Sequence, residues 1–168
     1  MKILSKEEAC EILGVESLDS LIDQLRSRLP LANDTYAMPF KSGVQIAISK
    51  LFAYLLLRGS PIYLYIACWG VMNEHLDLFY GYRQSLGERR PLIEAPVHCF
   101  EQSDEDAFIS MLCMALFFSW DVSVFDAKRR LLVQISHDGW MEARASDEGD
   151  RKNFATELQK YGVSLFFQ

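Results

Sequence analysis

The chain lacks any apolar run of the length that a membrane-spanning helix requires. Its longest such run, residues 107–118, is interrupted only by Ser110, whereas a spanning helix needs roughly 20 apolar residues. An apolar leader is also lacking, because Lys2 and Lys6 bring charge into the first residues, unlike a secretory signal peptide. We therefore expect a cytoplasmic protein that does not bind membranes.

Closely spaced metal ligands and glycine-rich phosphate loops are lacking too. The four cysteines lie far apart in the sequence, at Cys10, Cys68, Cys99 and Cys113. Zinc sites usually present paired Cys or His at short spacing, so we predict reduced, mostly buried thiols and no bound metal. Neither GxGxxG nor GxxxxGK followed by Ser or Thr occurs, so no cofactor is predicted.

Positive charge is in deficit. The chain has 17 Lys and Arg against 23 Asp and Glu, a formal net charge of −6. A general nucleic-acid binder needs a basic patch to meet phosphates, so nucleic acid is not an expected partner. The acidity is concentrated in residues 101–106 and 142–150, where it can steer association with a basic protein.

Apolar residues are plentiful, at 50% of 168 residues. A chain of this size can bury a sizeable core without disulfides or metal. We predict one α+β domain over residues 1–168, with a helical hairpin appendage at 1–30 and a sheet-containing core at 42–168. The sheet is expected to be mixed, mainly antiparallel, of about four strands, and packed by helices.

The central stretch of the prediction is residues 103–140. Ser103 followed by Asp106 has the form of a capping box, and the apolar run after it predicts a core helix buried on most faces. Residues 121–125 and 131–136 alternate as two strands of a hairpin, joined by a solvated basic loop. Asp138-Gly139 then predicts a turn.

The other elements follow from the same signals. Ser5 with Glu8 predicts a capped helix that Gly14 ends. Strands are predicted at 62–72 and 92–100, the latter an edge strand or bulge because of Pro96. Residues 73–86 fit a helix better than a strand. Further helices are expected at 16–29, 42–57 and 147–162, and the apolar tail 163–168 is expected to dock.

The N-terminal tracts LSKEEACEILGV and LIDQLRSRLP resemble the opening of excisionase- or MerR-type helix-turn-helix proteins. The resemblance covers the first 30 residues and implies that the second helix reads DNA. That helix opens with Glu16 and Asp19, which would face phosphates, and only Arg26 and Arg28 offset them. We therefore interpret the tract as a helical hairpin packed on the main domain.

Catalytic candidates are His98, His137 and Asp138. Ser136, His137 and Asp138 are adjacent in the sequence, but neighbouring strand residues face opposite sides and cannot form a triad among themselves. A hydrolase-like site would need His98 or His137 to meet Cys99 or Asp121 across the sheet. The alternative is that Asp138 caps the turn at Gly139 and that His137 is a solvated or hydrogen-bonded turn residue.

Binding candidates are mostly aromatic. The stretch from Tyr63 to Tyr82 is rich in rings that can line a pocket or form an interface, although such rings more often belong to a core. Arg83 could bind an anion, but we expect a solvated charge near a helix end, where a cation suits the helix dipole. The full set of binding candidates is Trp69, Tyr80, Arg83, Trp120, Asp121 and Trp140.

Without a catalytic motif, the leading hypothesis is a non-enzymatic bacterial interaction protein. It would bind a basic protein partner, as immunity proteins and antitoxins do, and a homodimer is left open. The alternative is a small-molecule-binding protein or hydrolase-like enzyme in which His98, His137 and Asp138 converge on one cavity.

Overall fold

An antiparallel sheet lies at the centre of the molecule, with helices on both of its faces. The computed structural model describes residues 1–31, 36–37, 44–57, 59–69, 73–160 and 164–165. The strands are β1 (Lys2–Leu4), β2 (Tyr36–Ala37), β3 (Ile62–Cys68), β4 (Val97–Phe100), β5 (Asp121–Asp126), β6 (Leu131–Ile135), β7 (Trp140–Ala145) and β8 (Ser164–Leu165). Their order in the sheet is β1-β4-β3-β5-β6-β7-β2-β8, and each described pairing is antiparallel.

The α+β class is confirmed, but the predicted number of strands is too small. Six strands have three or more residues, and β2 and β8 add two short ones. The sequence analysis missed β1, which is only three residues long, and β7, although Met141, Ala143 and Ala145 alternate there with Glu142 and Arg144. Both charges are satisfied in place, because Arg144 donates to Glu142 through its Nε.

Strand β4 corrects the prediction of an edge strand. It begins directly after Pro96 and pairs with β1 on one side and β3 on the other. The missing N–H of Pro96 therefore falls outside the ladder, while its carbonyl accepts the Ile66 N–H at 3.2 Å. A proline at the start of a strand removes no ladder bond.

The helices are α1 (Lys6–Leu13), α2 (Leu18–Arg28), α3 (Val44–Leu56), α4 (Asn73–Ser85), α5 (Glu105–Phe117) and α6 (Glu148–Lys160). The capping box of Ser5 and Glu8 is confirmed, and Gly14 ends α1 in the left-handed conformation at φ 63°. The expected box at Ser103 is wrong. A 3-10 turn at Gln102–Asp104 precedes α5, and the Asp104 carboxylate accepts the Glu101 N–H at 2.9 Å.

The helical hairpin of α1 and α2 covers one face of the sheet. Its apolar side chains, among them Leu21 and Leu25, form a buried cluster with residues of five strands, including Tyr63 and Phe125. The apolar residues whose spacing predicted α2 as a helix therefore face the sheet. The exposed face of α2 carries Asp19 and Asp23 among its polar residues.

Helices α3, α5 and α6 cover the other face. Their core side chains pack on Ile62, Leu64 and Val124, which alternate with the residues that face the hairpin. Helix α5 buries a stripe rather than most of its surface, since Phe117 is 66% exposed. None of the described helices has the length and apolar character that a membrane span requires.

The β5–β6 connection is solvated at Lys128 and Arg130, as expected, but not at Asp126. Asp126 is 3% exposed and its Oδ1 accepts the backbone N–H groups of Arg130 and Leu131 at 2.7 and 2.9 Å. The predicted connector beyond residue 31 and the tail lie outside the described residues, apart from β2 and β8. Ser164 and Leu165 of the tail pair with β2, so this part of the tail docks on the sheet as predicted, and the docking of the rest of the tail stays a prediction.

Candidate functional site

The two histidines that the sequence suggested as catalytic partners lie on opposite faces of the sheet. His98 pairs across the ladder with Leu64, which belongs to the core beneath α3 and α5. His137 contacts Asp121, which shares its strand face with Phe125 on the hairpin side. His98 and His137 therefore do not converge on one cavity.

His137 lies in the turn between β6 and β7 and is held by two carboxylates. Its Nδ1 is 2.9 Å from Asp121 Oδ1, and its backbone N–H donates to the same oxygen at 2.8 Å. Its Nε2 lies 3.4 Å from Asp138 Oδ1. Hydrogen bonding and charge from Asp121 raise the pKa of the exposed imidazole above its ordinary value. The structure thus brings together His137, Asp121 and Asp138, in a geometry that favours a charged imidazolium.

The cysteine considered as a nucleophile does not meet either histidine. Cys99 follows His98 in β4 and therefore faces the hairpin side, where it belongs to the cluster that contains Tyr63. Burial raises the pKa of the Cys99 thiol. A buried thiol with a raised pKa is a poor nucleophile.

An aromatic cluster lies between α4 and the sheet. The Phe79 ring is 5.1 Å from Trp69 and 5.0 Å from Trp120, and the two indoles are 5.2 Å apart between ring centroids. The His98 ring meets the Phe79 ring edge-on at 5.8 Å. Phe79, Trp120 and His98 are fully buried, whereas Trp69 is partly exposed. Three of the sequence candidates, Trp69, Trp120 and His98, thus share one cluster.

Arg83 corrects the expectation of a solvated charge. It is 0% exposed, and its guanidinium lies 5.7 Å from the Phe79 ring centroid. Within the described chain, none of its three side-chain nitrogens has a hydrogen-bond partner. Burial lowers the pKa of this arginine from its ordinary value. The sequence held a signal for this burial, because Arg83 continues the apolar stripe of Phe79 and Tyr80 at helical spacing.

His98 is the second buried polar group without a described partner. The backbone of Leu64 lies near enough to act on the ring, but neither ring nitrogen makes a hydrogen bond of ordinary geometry in the described chain. Burial, followed by the positive charge of Arg83, lowers the pKa of His98 to about 3. The imidazole is therefore neutral at physiological pH.

The remaining binding candidates have structural contacts. The Tyr80 hydroxyl accepts the Leu92 N–H at 3.3 Å, which fixes the chain after α4. Trp140 is partly buried at the start of β7 and pairs across the ladder with Ala37.

A carboxylate-rich surface surrounds the start of α5, and we call Glu101, Glu105 and Asp106 the acidic face. All three are exposed, and none forms an ion pair with a described residue. Beside them, Asp104 binds the Met1 ammonium at 2.6 Å. These two residues line an open cleft of about 270 Å³ together with Ile3, Leu86, Gly87, Glu88 and Ala107. The cleft combines apolar walls with a carboxylate that already holds a cation.

The second acidic stretch of the sequence is not one surface. Glu142 is 6% exposed and forms an ion pair with Arg144. It forms a second ion pair with Arg26, whose Nε lies 3.8 Å from Glu142 Oε1. Asp147 instead caps α6, accepting the Asp150 N–H at 3.0 Å. The positions of these carboxylates in the sequence do not show which of them are paired or capping and which, like those of the acidic face, are exposed and unpaired.

Among the residues that the structure describes, no group of three or more His, Cys, Asp or Glu side chains is placed to hold a metal ion. The chain was also compared with known proteins. No protein-family model, curated protein sequence or solved structure gives a significant match.

Proposed function

We propose that this protein is a non-enzymatic interaction protein that binds a basic protein partner, in the manner of immunity proteins and antitoxins. The observation that carries the proposal is the acidic face: three exposed carboxylates without described ion pairs, next to an open cleft. Complementary charge speeds the encounter of two proteins and selects against wrong partners.

The cleft beside the acidic face supports this proposal through its chemistry. Asp104 holds an ammonium whose residue, Met1, has a side chain only 4% exposed. Leu86, which is 47% exposed, offers apolar area in the same cleft. Lys and Arg side chains bury their aliphatic stems while the charged end meets a carboxylate. We therefore place the stem of a basic partner residue in the cleft and its charge at the acidic face, because Asp104 already holds the Met1 ammonium.

A hydrolase-like alternative has less support. It required His98, His137 and Asp138 in one cavity, and His98 lies on the other face of the sheet from the contact between His137 and Asp121. A nucleophile needs a base within hydrogen-bond reach.

The proposal is tested with a charge-reversed acidic face. The variant carries Glu101→Lys, Glu105→Lys and Asp106→Lys. Its matched control carries Glu11→Lys, Glu16→Lys and Asp23→Lys, three exposed carboxylates of the hairpin on the opposite face of the sheet. Both variants change the net charge equally, so only the position of the charge differs.

Tagged wild-type protein and both variants are used for affinity capture from the native cell lysate, followed by quantitative mass spectrometry. We expect one stoichiometric basic protein to be retained by the wild type and the control and lost from the acidic-face variant. With that partner purified, its association rate should fall as salt rises. If both variants retained the partner equally, the acidic face would not be its binding surface. If the wild type captured no stoichiometric partner, the proposed function would be wrong.

A further inference from the structure

Six side-chain nitrogens surround the Phe79 ring without hydrogen-bond partners in the described part of the chain. Arg83 contributes three, His98 two and Trp120 one. All three residues are 0% exposed. Each of the three contacts Phe79, whose ring centroid is 5.7 Å from the Arg83 guanidinium, 5.8 Å from the His98 ring and 5.0 Å from the Trp120 ring.

Such an arrangement is costly for a protein that binds nothing there. Buried polar groups are nearly always hydrogen-bonded, and an unpaired buried charge removes a large share of the stability of a domain. The carboxylate whose charge acts on Arg83 is Glu88. Glu88 does not pair with it, however, because both carboxylate oxygens accept hydrogen bonds from Arg90 at 2.7 to 3.1 Å.

We propose that Arg83, His98 and Trp120 form a binding site for a small molecule that carries an oxyanion, either a carboxylate or a phosphate. The planar guanidinium presents paired N–H donors that match the oxygens of both groups. The Trp120 indole N–H donates a further bond, and the neutral His98 ring has one N–H to donate. The apolar remainder of the molecule lies against Trp69 and Phe79.

Trp69 gives this site its connection to solvent. It is partly exposed and contacts both Phe79 and Trp120. A ligand bound against Trp69 and Trp120 would change the surroundings of both indoles. The site shares no residue with the acidic face, and each proposal can fail without the other.

The test measures melting temperature and tryptophan fluorescence of the full chain at constant ionic strength. Inorganic phosphate, acetate and benzoate are titrated against chloride. The variants are Arg83→Met, which removes the guanidinium, and Arg83→Lys, which keeps the charge but loses the planar fork. Arg89→Met is the control, because Arg89 is exposed and only six residues away.

We expect a saturable rise in melting temperature and a fluorescence change for the wild type and Arg89→Met. The response to benzoate should exceed that to acetate if the bound group is a carboxylate on an apolar body, whereas a response to phosphate alone assigns a phosphate. Arg83→Lys should bind about tenfold more weakly or worse, and Arg83→Met should not respond.

Two results would overturn the proposal. One is a wild-type protein that none of the three anions shifts relative to chloride. The other is an equal response in the wild type and Arg83→Met, which is what general salt stabilisation by ion exclusion would produce. If Arg83→Met does not fold, the comparison of wild type with Arg83→Lys decides in the same way.

Discussion

Asp121 holds His137 twice, through the backbone N–H at 2.8 Å and through the imidazole Nδ1 at 2.9 Å, both to Oδ1. The contact joins the first residue of β5 to the turn after β6. It therefore fastens the open end of the β5–β6 pair, and its strength depends on the charge of the imidazole.

This contact predicts a loss of stability at alkaline pH. The pKa of His137 is raised in the folded state, so its contribution is complete below the unfolded value of about 6.5 and is lost as pH rises through the folded pKa. The free energy of unfolding, measured by urea denaturation, should decline as the pH rises above about 6.5.

Asp121→Asn is the control for this slope. The amide oxygen can still accept the backbone N–H of His137, but it lacks the charge that raises the pKa. We expect the decline to become shallower in this variant. If the variant keeps the wild-type slope, another group causes the decline.

The lowered pKa of His98 predicts a loss of stability at acidic pH. The pKa of His98 falls to about 3 in the folded state from an ordinary value of 6.5. Below pH 6.5 the imidazole is therefore protonated in the unfolded chain but stays neutral in the folded protein. Stability should fall with decreasing pH over this range, by on the order of 4 kcal/mol.

His98→Phe keeps an aromatic ring in the cluster and removes the proton uptake. Urea denaturation at about pH 4 and about pH 7 should show a smaller difference for the variant than for the wild type, and an equal difference would contradict the assignment to His98.

Asp126 is predicted to be the polar residue that fixes the β5–β6 loop. Asp126→Ala leaves two backbone N–H groups without their acceptor, and we expect a loss of about 3 kcal/mol in unfolding free energy. Asp126→Asn keeps one acceptor oxygen and should lose less. Lys128→Ala, at an exposed position of the same loop, should change stability by less than about 0.5 kcal/mol. Equal effects of Asp126→Ala and Lys128→Ala in chemical denaturation would rule out this role.

The hairpin is predicted to be a full layer of the fold. Leu25 is 1% exposed in the cluster between α2 and the sheet, so Leu25→Ala should cost about 3 kcal/mol and lower a single cooperative transition. Ile12→Ala, at a position that is 58% exposed, should be nearly neutral. If the hairpin melted separately, calorimetry would show an early transition that Leu25→Ala shifts while the main transition stays in place.

Helix ends could be predicted because they depend on neighbours in the sequence. Ser5 and Glu8 satisfy backbone groups three residues apart, and Gly87 follows α4 with φ 86°, a conformation that glycine adopts without strain. The choice of helix over strand for residues 73–85 was correct for the same local reason.

The sheet could be predicted only in part. Strand β7 was missed although Met141, Ala143 and Ala145 alternate with two charged residues, because Glu142 and Arg144 were interpreted as part of a solvated acidic stretch. In the structure Glu142 pairs with Arg144 and with Arg26. The position of β4 inside the sheet depends on β1, which lies about 95 residues earlier in the chain, as Lys2 pairs with Cys99. Pairing over such separations leaves no local trace.

The sequence by itself determined the helices, the apolar faces and the α+β class, since caps and periodicity act within a few residues. Only the tertiary structure decided the surroundings of the polar residues. It placed His98 and His137 on opposite faces, buried Arg83 and Glu142, and left Glu101, Glu105 and Asp106 exposed. Burial and pairing of a polar side chain depend on which strand or helix packs over it, and that is set by contacts between distant parts of the chain.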